Sequence, residues 1–211
     1  MAIDGPAGSG KSTVARLVAG RLGLVVLDTG AMYRAVALLA LEEGTQADLT
    51  RVSQLATDTV FEMGEDSVRV NGRDVSGMIR SLEVGQWASK LSVHPAVRRS
   101  LVGKQQQIAR AGGFVLEGRD VTTVVAPHAD LKVFLTASIE ERARRRWLEL
   151  RVADPSLRLQ VVVREVVERD HRDYTRDESP LTLAEDAVIV ETFGKSPDEI
   201  AAQIAAMARP R

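Results

Sequence analysis

Short, nearly continuous apolar runs alternate along the chain with longer stretches in which apolar residues recur every three or four positions. Leu24-Val25-Val26-Leu27, Phe114-Val115-Leu116, Leu131-Lys132-Val133-Phe134-Leu135 and Ala187-Val188-Ile189-Val190 read as parallel strands covered on both faces. Ala2-Ile3-Asp4 makes a fifth, either unusually short or the end of a strand that starts upstream of Met1. Val14, Leu17, Val18 and Leu22 place a helix over 11–21, and Gly23 stands where a C-cap belongs. Val36, Leu39, Ala40 and Glu43 carry a second helix, and a closing helix is expected over 197–208. Strand alternating with helix predicts an α/β fold, a doubly wound five-stranded parallel sheet.

Two stretches interrupt that rhythm. Over 59–81 the strand-like runs 60–63 and 68–70, with the tight-turn pair Asn71-Gly72 leading to Asp74-Val75, predict a small antiparallel insertion. Helices over 81–91 and 95–111 follow, with Pro95 at a helix start and Gly112-Gly113 closing the second. Near the other end, a helix from Ser138 buries Ile139, Ala143, Trp147 and Leu150. Asp154-Pro155-Ser156 breaks it, and a second helix from near Leu157 lays Leu159, Val163, Val166 and Asp170 along one side. Two helices with a short tip suggest a lid. The division expected is one domain, with its core at 1–57, 112–147 and 177–211, an insertion at about 58–111 and a lid at about 148–176.

Composition narrows the class. With 45% hydrophobic residues the 211-residue chain can build a full core, and the absence of cysteine excludes disulfides and thiolate metal sites. A net charge of −1 gives no global attraction to nucleic acid or membrane, and no long apolar span or signal peptide is present. A cytoplasmic monomer with small-molecule partners is the expectation. Among the cations, 23 arginines against 5 lysines suit repeated bidentate contact with phosphate, although most of such a bias is compositional and only position singles out individual residues.

The chemistry starts at Gly5-Pro6-Ala7-Gly8-Ser9-Gly10-Lys11-Ser12-Thr13, which fits the phosphate-binding pattern G-x-x-x-x-G-K-[ST] between a strand and a helix. Its glycines let backbone N–H groups converge on phosphate oxygens. Lys11 reaches the β- and γ-phosphates of ATP, and the Ser12 hydroxyl suits Mg²⁺. Asp28-Thr29-Gly30-Ala31-Met32-Tyr33-Arg34 and Glu117-Gly118-Arg119-Asp120 follow strands at the ends where α/β sheets bind ligands. Thr29 and Arg34 are therefore candidates for a second substrate, Arg119 for a phosphate, and Asp120 for a sugar hydroxyl. On the later helices, Arg142 and Arg146 flank the apolar stripe while Arg144 and Arg145 point elsewhere. Arg169, Asp173 and Arg176 share one face, and Glu165-Arg169 is spaced as an exposed helical ion pair. Arginines on a lid reach phosphates on closure and exclude water. Spacing alone leaves Ser89, Arg98 and Arg99 on a solvated face.

Taken together, the phosphate loop, the Asp28-to-Arg34 segment, Glu117-Gly118-Arg119-Asp120 and Arg169-Asp170-His171-Arg172-Asp173-Tyr174-Thr175-Arg176 resemble the bacterial cytidylate kinases over nearly the whole chain. That resemblance implies a P-loop kinase core with an enlarged monophosphate-binding insertion and a short lid, passing phosphate from ATP to CMP or dCMP with Mg²⁺. Matched residue by residue, it implies CMP contacts at Thr29, Arg34, Ser89, Arg98, Arg119, Asp120, Asp173 and Arg176. The catalytic set it implies is Lys11, Arg145, Arg146 and Arg169. Thr29 replaces the serine common in the family and keeps the hydroxyl. A monophosphate, with a second pKa of about 6, is already a nucleophile at neutral pH, so no general base is required. A carboxylate at Asp173 that accepted from cytosine's exocyclic amino group would also discriminate against uracil.

Two other readings compete. A P-loop kinase acting on a hydroxyl, such as shikimate or gluconate kinase, shares the core and needs a base, for which Asp120 is available. A GTPase-like switch would use Asp74-Val75-Ser76-Gly77 as its D-x-x-G, but that segment follows a hairpin turn and the chain has no N-K-x-D.

Overall fold

A glycine-rich loop leaves β1 (Ala2–Asp4) and enters α1 (Lys11–Leu22), which ends on Gly23 in the left-handed region. The structure, a computed structural model, describes residues 1–64, 67–152 and 154–208. The predicted insertion, lid and final core segment each include a few residues outside that set: 65–66, 153 and 209–211. The first half continues through β2 (Val25–Asp28), α2 (Thr29–Glu42) and α3 (Leu49–Asp58). Next come β3 (Phe61–Met63), β4 (Val68–Val70), β5 (Arg73–Asp74), a 3-10 turn at Met78–Arg80, α4 (Leu82–Leu91) and α5 (Pro95–Ala109). The second half holds β6 (Phe114–Gly118), a π-helical turn at Val121–Val125, β7 (Lys132–Thr136), α6 (Ile139–Leu150), α7 (Leu159–Thr175), β8 (Val188–Glu191) and α8 (Pro197–Met207).

Five strands form a parallel sheet in the order β2-β6-β1-β7-β8. The short β1 is its centre, paired to β6 on one side and β7 on the other, with Asp4 level with both Gly118 and Phe134. Burial on both sides explains why three residues suffice: Ala2, Ile3 and Asp4 are wholly buried. The chain runs outward to β2, returns to β6, then crosses to β7, so the strand order reverses beside β1. That is the switch point where such sheets open a crevice at their carboxyl ends.

Packing layers follow from the same order. On one face α1 and α8 bury Val14, Val18, Ile200 and Ile204 against Ile3, Val115 and Val133. On the other, Leu27, Leu116, Val121 and Val125 meet partly buried residues of α5. A separate core joins α2, α3, α4 and α5 through Met32, Val36, Leu55, Leu91 and Leu101. The predicted antiparallel hairpin is present, with Phe61 opposite Val70, and Asn71 (φ 51°) and Gly72 (φ 81°) supply the paired positive angles a two-residue turn needs.

Three expectations change. The β2 and β8 runs are not covered on both faces: as sheet edges they leave Val25, Val188 and Ile189 exposed. In α6 Ile139 is exposed and Arg142 is buried. In α7 the buried line is Val162, Val166, Asp170 and Asp173 rather than one through Leu159 and Val163. Both helices are rotated because the Arg142–Asp170 ion pair lies between them, beside the apolar seam of Ala143, Val162 and Val166. Their tip is closed by Trp147, whose indole N–H donates to the Leu157 carbonyl at 2.8 Å. Among the described residues no helix is long and apolar enough to cross a membrane.

Candidate active site

The phosphate loop is threaded between β7 and α6. A Cβ at Gly8, whose φ is +75°, would stand 2.6 Å from the Arg142 carbonyl oxygen, so only glycine fits that close approach. Lys11 is buried and folds over the loop, donating to the Pro6 carbonyl at 2.8 Å and to Ser9 Oγ at 3.3 Å. Burial, reinforced by Arg119 and opposed by Glu117, holds its ammonium pKa well below the usual value.

In front of the loop lies a cleft of about 690 Å³. Every residue singled out above for catalysis or binding lines it except Gly5 and Pro6. Those two sit at the loop's back, where a Cβ on Gly5 would collide with the Leu135 carbonyl. Cations outnumber carboxylates among the lining groups although the chain as a whole carries −1, so the cleft is built for an anion.

Its far chamber is an arginine–aspartate lattice. Arg98, only 1% exposed, donates to Asp120 Oδ2 at 2.5 Å and to the Ser92 carbonyl at 3.2 Å. The solvated face expected for Arg98 and Ser89 is thus overturned. It holds for Arg99 alone, which pairs with Glu178 at the surface. Arg176 approaches Asp120 Oδ1 at 3.5 Å and Asp173 Oδ1 at 3.8 Å, and Arg119 Nε donates to Asp173 Oδ2 at 2.9 Å. Both Asp173 oxygens therefore face arginines. Arg34 pairs with Asp28 at 2.5 Å while Asp28 caps α2 through the Ala31 N–H. Thr29 donates to the Glu117 carbonyl at 2.7 Å, and the Ser89 hydroxyl accepts from Arg172 Nε at 3.1 Å.

Arg169 makes no ion pair with Glu165. It is half-buried, with Arg119, Arg34 and Arg146 close enough to repel it, and burial of the guanidinium followed by these like charges lowers its pKa to about 10. The buried Nε atoms of Arg34, Arg98 and Arg169 and Nη2 of Arg176 have no hydrogen-bond partner in the chain. All four residues line the cleft, and buried donors left in this way suit an anionic ligand. Arg145 is held at the rim by Glu141 and by Thr192, which accepts at its hydroxyl (2.8 Å) and carbonyl (3.0 Å). Arg146 leans on Glu149 at 3.4 Å.

Local patterning missed several contributors. Tyr33 lines the cleft with its hydroxyl buried and partnerless, and burial pushes its pKa to about 12; its place inside the Asp28-to-Arg34 segment was the available signal. Glu117 is buried with Oε1 unpartnered, and burial, with Asp28 adding, raises its pKa against the pull of Lys11 and the Ser12 hydroxyl. Asp170 had its place on the packed side of the helix and in the Arg169-to-Arg176 segment as signals, whereas Arg142 had none beyond charge at a helical position.

The cytidylate kinase family model matches residues 1–210. A cytidylate kinase of Solibacter usitatus is 46% identical over 214 residues, covering 100% of this chain and 92% of the relative. That of Listeria welshimeri is 47% identical over 215 residues, covering 100% and 96%. A crystal structure of an uncharacterized protein from Eubacterium ventriosum shares the fold at 10% identity, with a TM-score of 0.52 over 98% of this chain and 95% of that one. On the full-length family match and these relatives, the chain belongs to the cytidylate kinase family.

Proposed function

We propose that the chain transfers the γ-phosphoryl group of ATP to the phosphate of CMP or dCMP, giving ADP and CDP or dCDP. One observation carries this beyond family membership: the cleft joins a phosphate loop to a second chamber walled by buried arginines. An acceptor that is itself a phosphate needs cations and alignment, not a base. For a hydroxyl acceptor the available base is Asp120, but its oxygens face Arg98 and Arg176. The D-x-x-G aspartate of a switch is no better placed, since Asp74 sits in the exposed hairpin and accepts from the Ser76 N–H and hydroxyl.

Within this reading the loop N–H groups and Lys11 hold the donor phosphates. Arg34, Arg119 and Arg176 take the acceptor phosphate and sugar, Asp173 keeps Arg119 and Arg176 in place, and Thr29, Ser89, Arg98 and Asp120 frame the nucleoside. Arg169, with Arg145 and Arg146, neutralises charge where it develops on the transferring group. The segment at about 58–111 serves as the acceptor-binding insertion and that at about 148–176 as the lid. The partnerless Glu117 oxygen and the Ser12 hydroxyl beside it are hard oxygen donors that fit Mg²⁺. No cage of three or more acidic, histidine or cysteine groups exists among the described residues, which suits an ion arriving with nucleotide phosphates. Such an ion, held by Ser12 and Glu117, supplies charge neutralisation on the phosphates. A cleft complete within one chain supports action as a monomer, and nucleotide substrates support a cytoplasmic location.

Lys11→Ala tests the separation of donor and acceptor sites. Calorimetry should show CMP binding to the variant much as to wild type, while CDP formation is lost. Equal loss of CMP affinity would contradict the division.

A further inference from the structure

Arg142 and Asp170 do not line the cleft; they grip the phosphate loop from behind. Asp170 Oδ1 accepts the Ala7 N–H at 3.1 Å. Arg142 Nη1 donates to the Ala7 carbonyl at 2.9 Å and to Asp170 Oδ2 at 2.5 Å, and Arg142 Nε is anchored on the Ala137 carbonyl at 3.0 Å. Both polar groups of one loop residue are thereby bonded to a single ion pair whose side chains are 5% and 10% exposed.

Burying such a pair gives little net stability compared with apolar side chains of the same volume, so stability alone does not account for it. What the pair does impose is orientation. With Ala7 fixed at N–H and C=O, the peptide planes leading into Gly8, Ser9 and Gly10 lose their freedom to turn, and those planes carry the N–H groups of the phosphate cradle. The same helix continues into the cleft on either side of Asp170. Arg169 precedes it, and Asp173, one turn on, holds Arg119.

We propose that Arg142 and Asp170 are positioning residues: a clamp that sets the phosphate loop for the donor triphosphate. This rests on the reading of the loop as the ATP site. The clamp therefore acts on ATP and only weakly on the acceptor.

The test uses Asp170→Asn, which keeps the shape but cannot accept from both Ala7 and Arg142, and Arg142→Lys, which keeps the charge but loses the fork. Each should raise the KM for ATP about tenfold while the KM for CMP changes less than about twofold. In the full-length free protein, the Ala7 amide should exchange slowly in wild type and faster in both variants, with a shifted NMR resonance. If both KM values rise together in step with lost thermal stability, or neither moves in a folded variant, the clamp is overturned and the pair is only a packing element. Should a variant fail to fold, the wild-type Ala7 amide still decides, because rapid exchange there contradicts the clamp. That measurement needs no substrate, so failure of wild-type protein to phosphorylate CMP would defeat the activity reading and leave the clamp separately tested.

Discussion

Arg119 Nε donates to Asp173 Oδ2 across 2.9 Å, fastening the carboxyl end of β6 to α7 inside the cleft. Burial on its own would raise the Asp173 pKa, but the charges of Arg119, Arg169 and Arg176 outweigh it and hold the carboxyl below its usual range. On the proposed reading an aspartate so engaged organises arginines rather than reading the base. Asp173→Asn should therefore lower kcat/KM for CMP and UMP together by about ten- to a hundredfold, with their ratio kept within about twofold. A selective loss for CMP would return the base-reading role to Asp173. Stability gives a second readout. A depressed carboxyl pKa contributes stability above the unfolded value of about 3.9 that is lost as pH falls through the folded value, so wild type should melt higher than the variant at pH 6 and the gap should close below about pH 4.

Arg34 and Arg98 both line the cleft, one half-buried against Asp28, the other sealed against Asp120. Replacing either with alanine should raise the KM for CMP by about ten- to a hundredfold, the worth of a charged hydrogen bond, and leave that for ATP within about threefold. Arg34→Ala is the safer measurement, because removing Arg98 strips a partner from buried Asp120. Unchanged CMP kinetics in Arg34→Ala, with Arg98→Ala folded and equally unaffected, would remove both from the site.

Glu117 is expected to trade stability for activity. Its pKa is raised by burial first and by Asp28 next, so its contribution to stability is full below the ordinary carboxylate value of about 4.3 and declines as pH rises through the folded value. Glu117→Gln has no charge to desolvate. Its melting temperature should exceed that of wild type by about 2–4 °C at pH 8, with the difference vanishing toward pH 4, while kcat falls. A melting difference independent of pH would contradict this assignment of the buried charge.

The sheet, the phosphate loop and the antiparallel hairpin were legible because each is written in local pattern: continuous apolar runs, a spaced glycine motif, an Asn-Gly pair. Strand order is not local, and so Val25, Val188 and Ile189 gave no sign that their strands would be edges. The same limit hid the burial of Arg98, which only the family resemblance singled out. It stands beside Arg99 on α5, and only its partner Asp120, distant in sequence, separates a buried ion pair from the exposed neighbour that meets Glu178. Arg142 was lost in a run of arginines for the same reason. Its burial depends on contacts with Asp170 of another helix and with the backbone of Ala7, and a stripe along its own helix anticipates neither contact.

The central claim, phosphoryl transfer from ATP to a cytidine monophosphate, is tested most directly by a coupled ADP-release assay with CMP, dCMP, UMP, AMP, GMP and shikimate offered side by side under Mg²⁺. ADP should be released with CMP and dCMP, more slowly with UMP, and not above background with shikimate. Turnover of shikimate, or no release with any cytidine monophosphate, would contradict it.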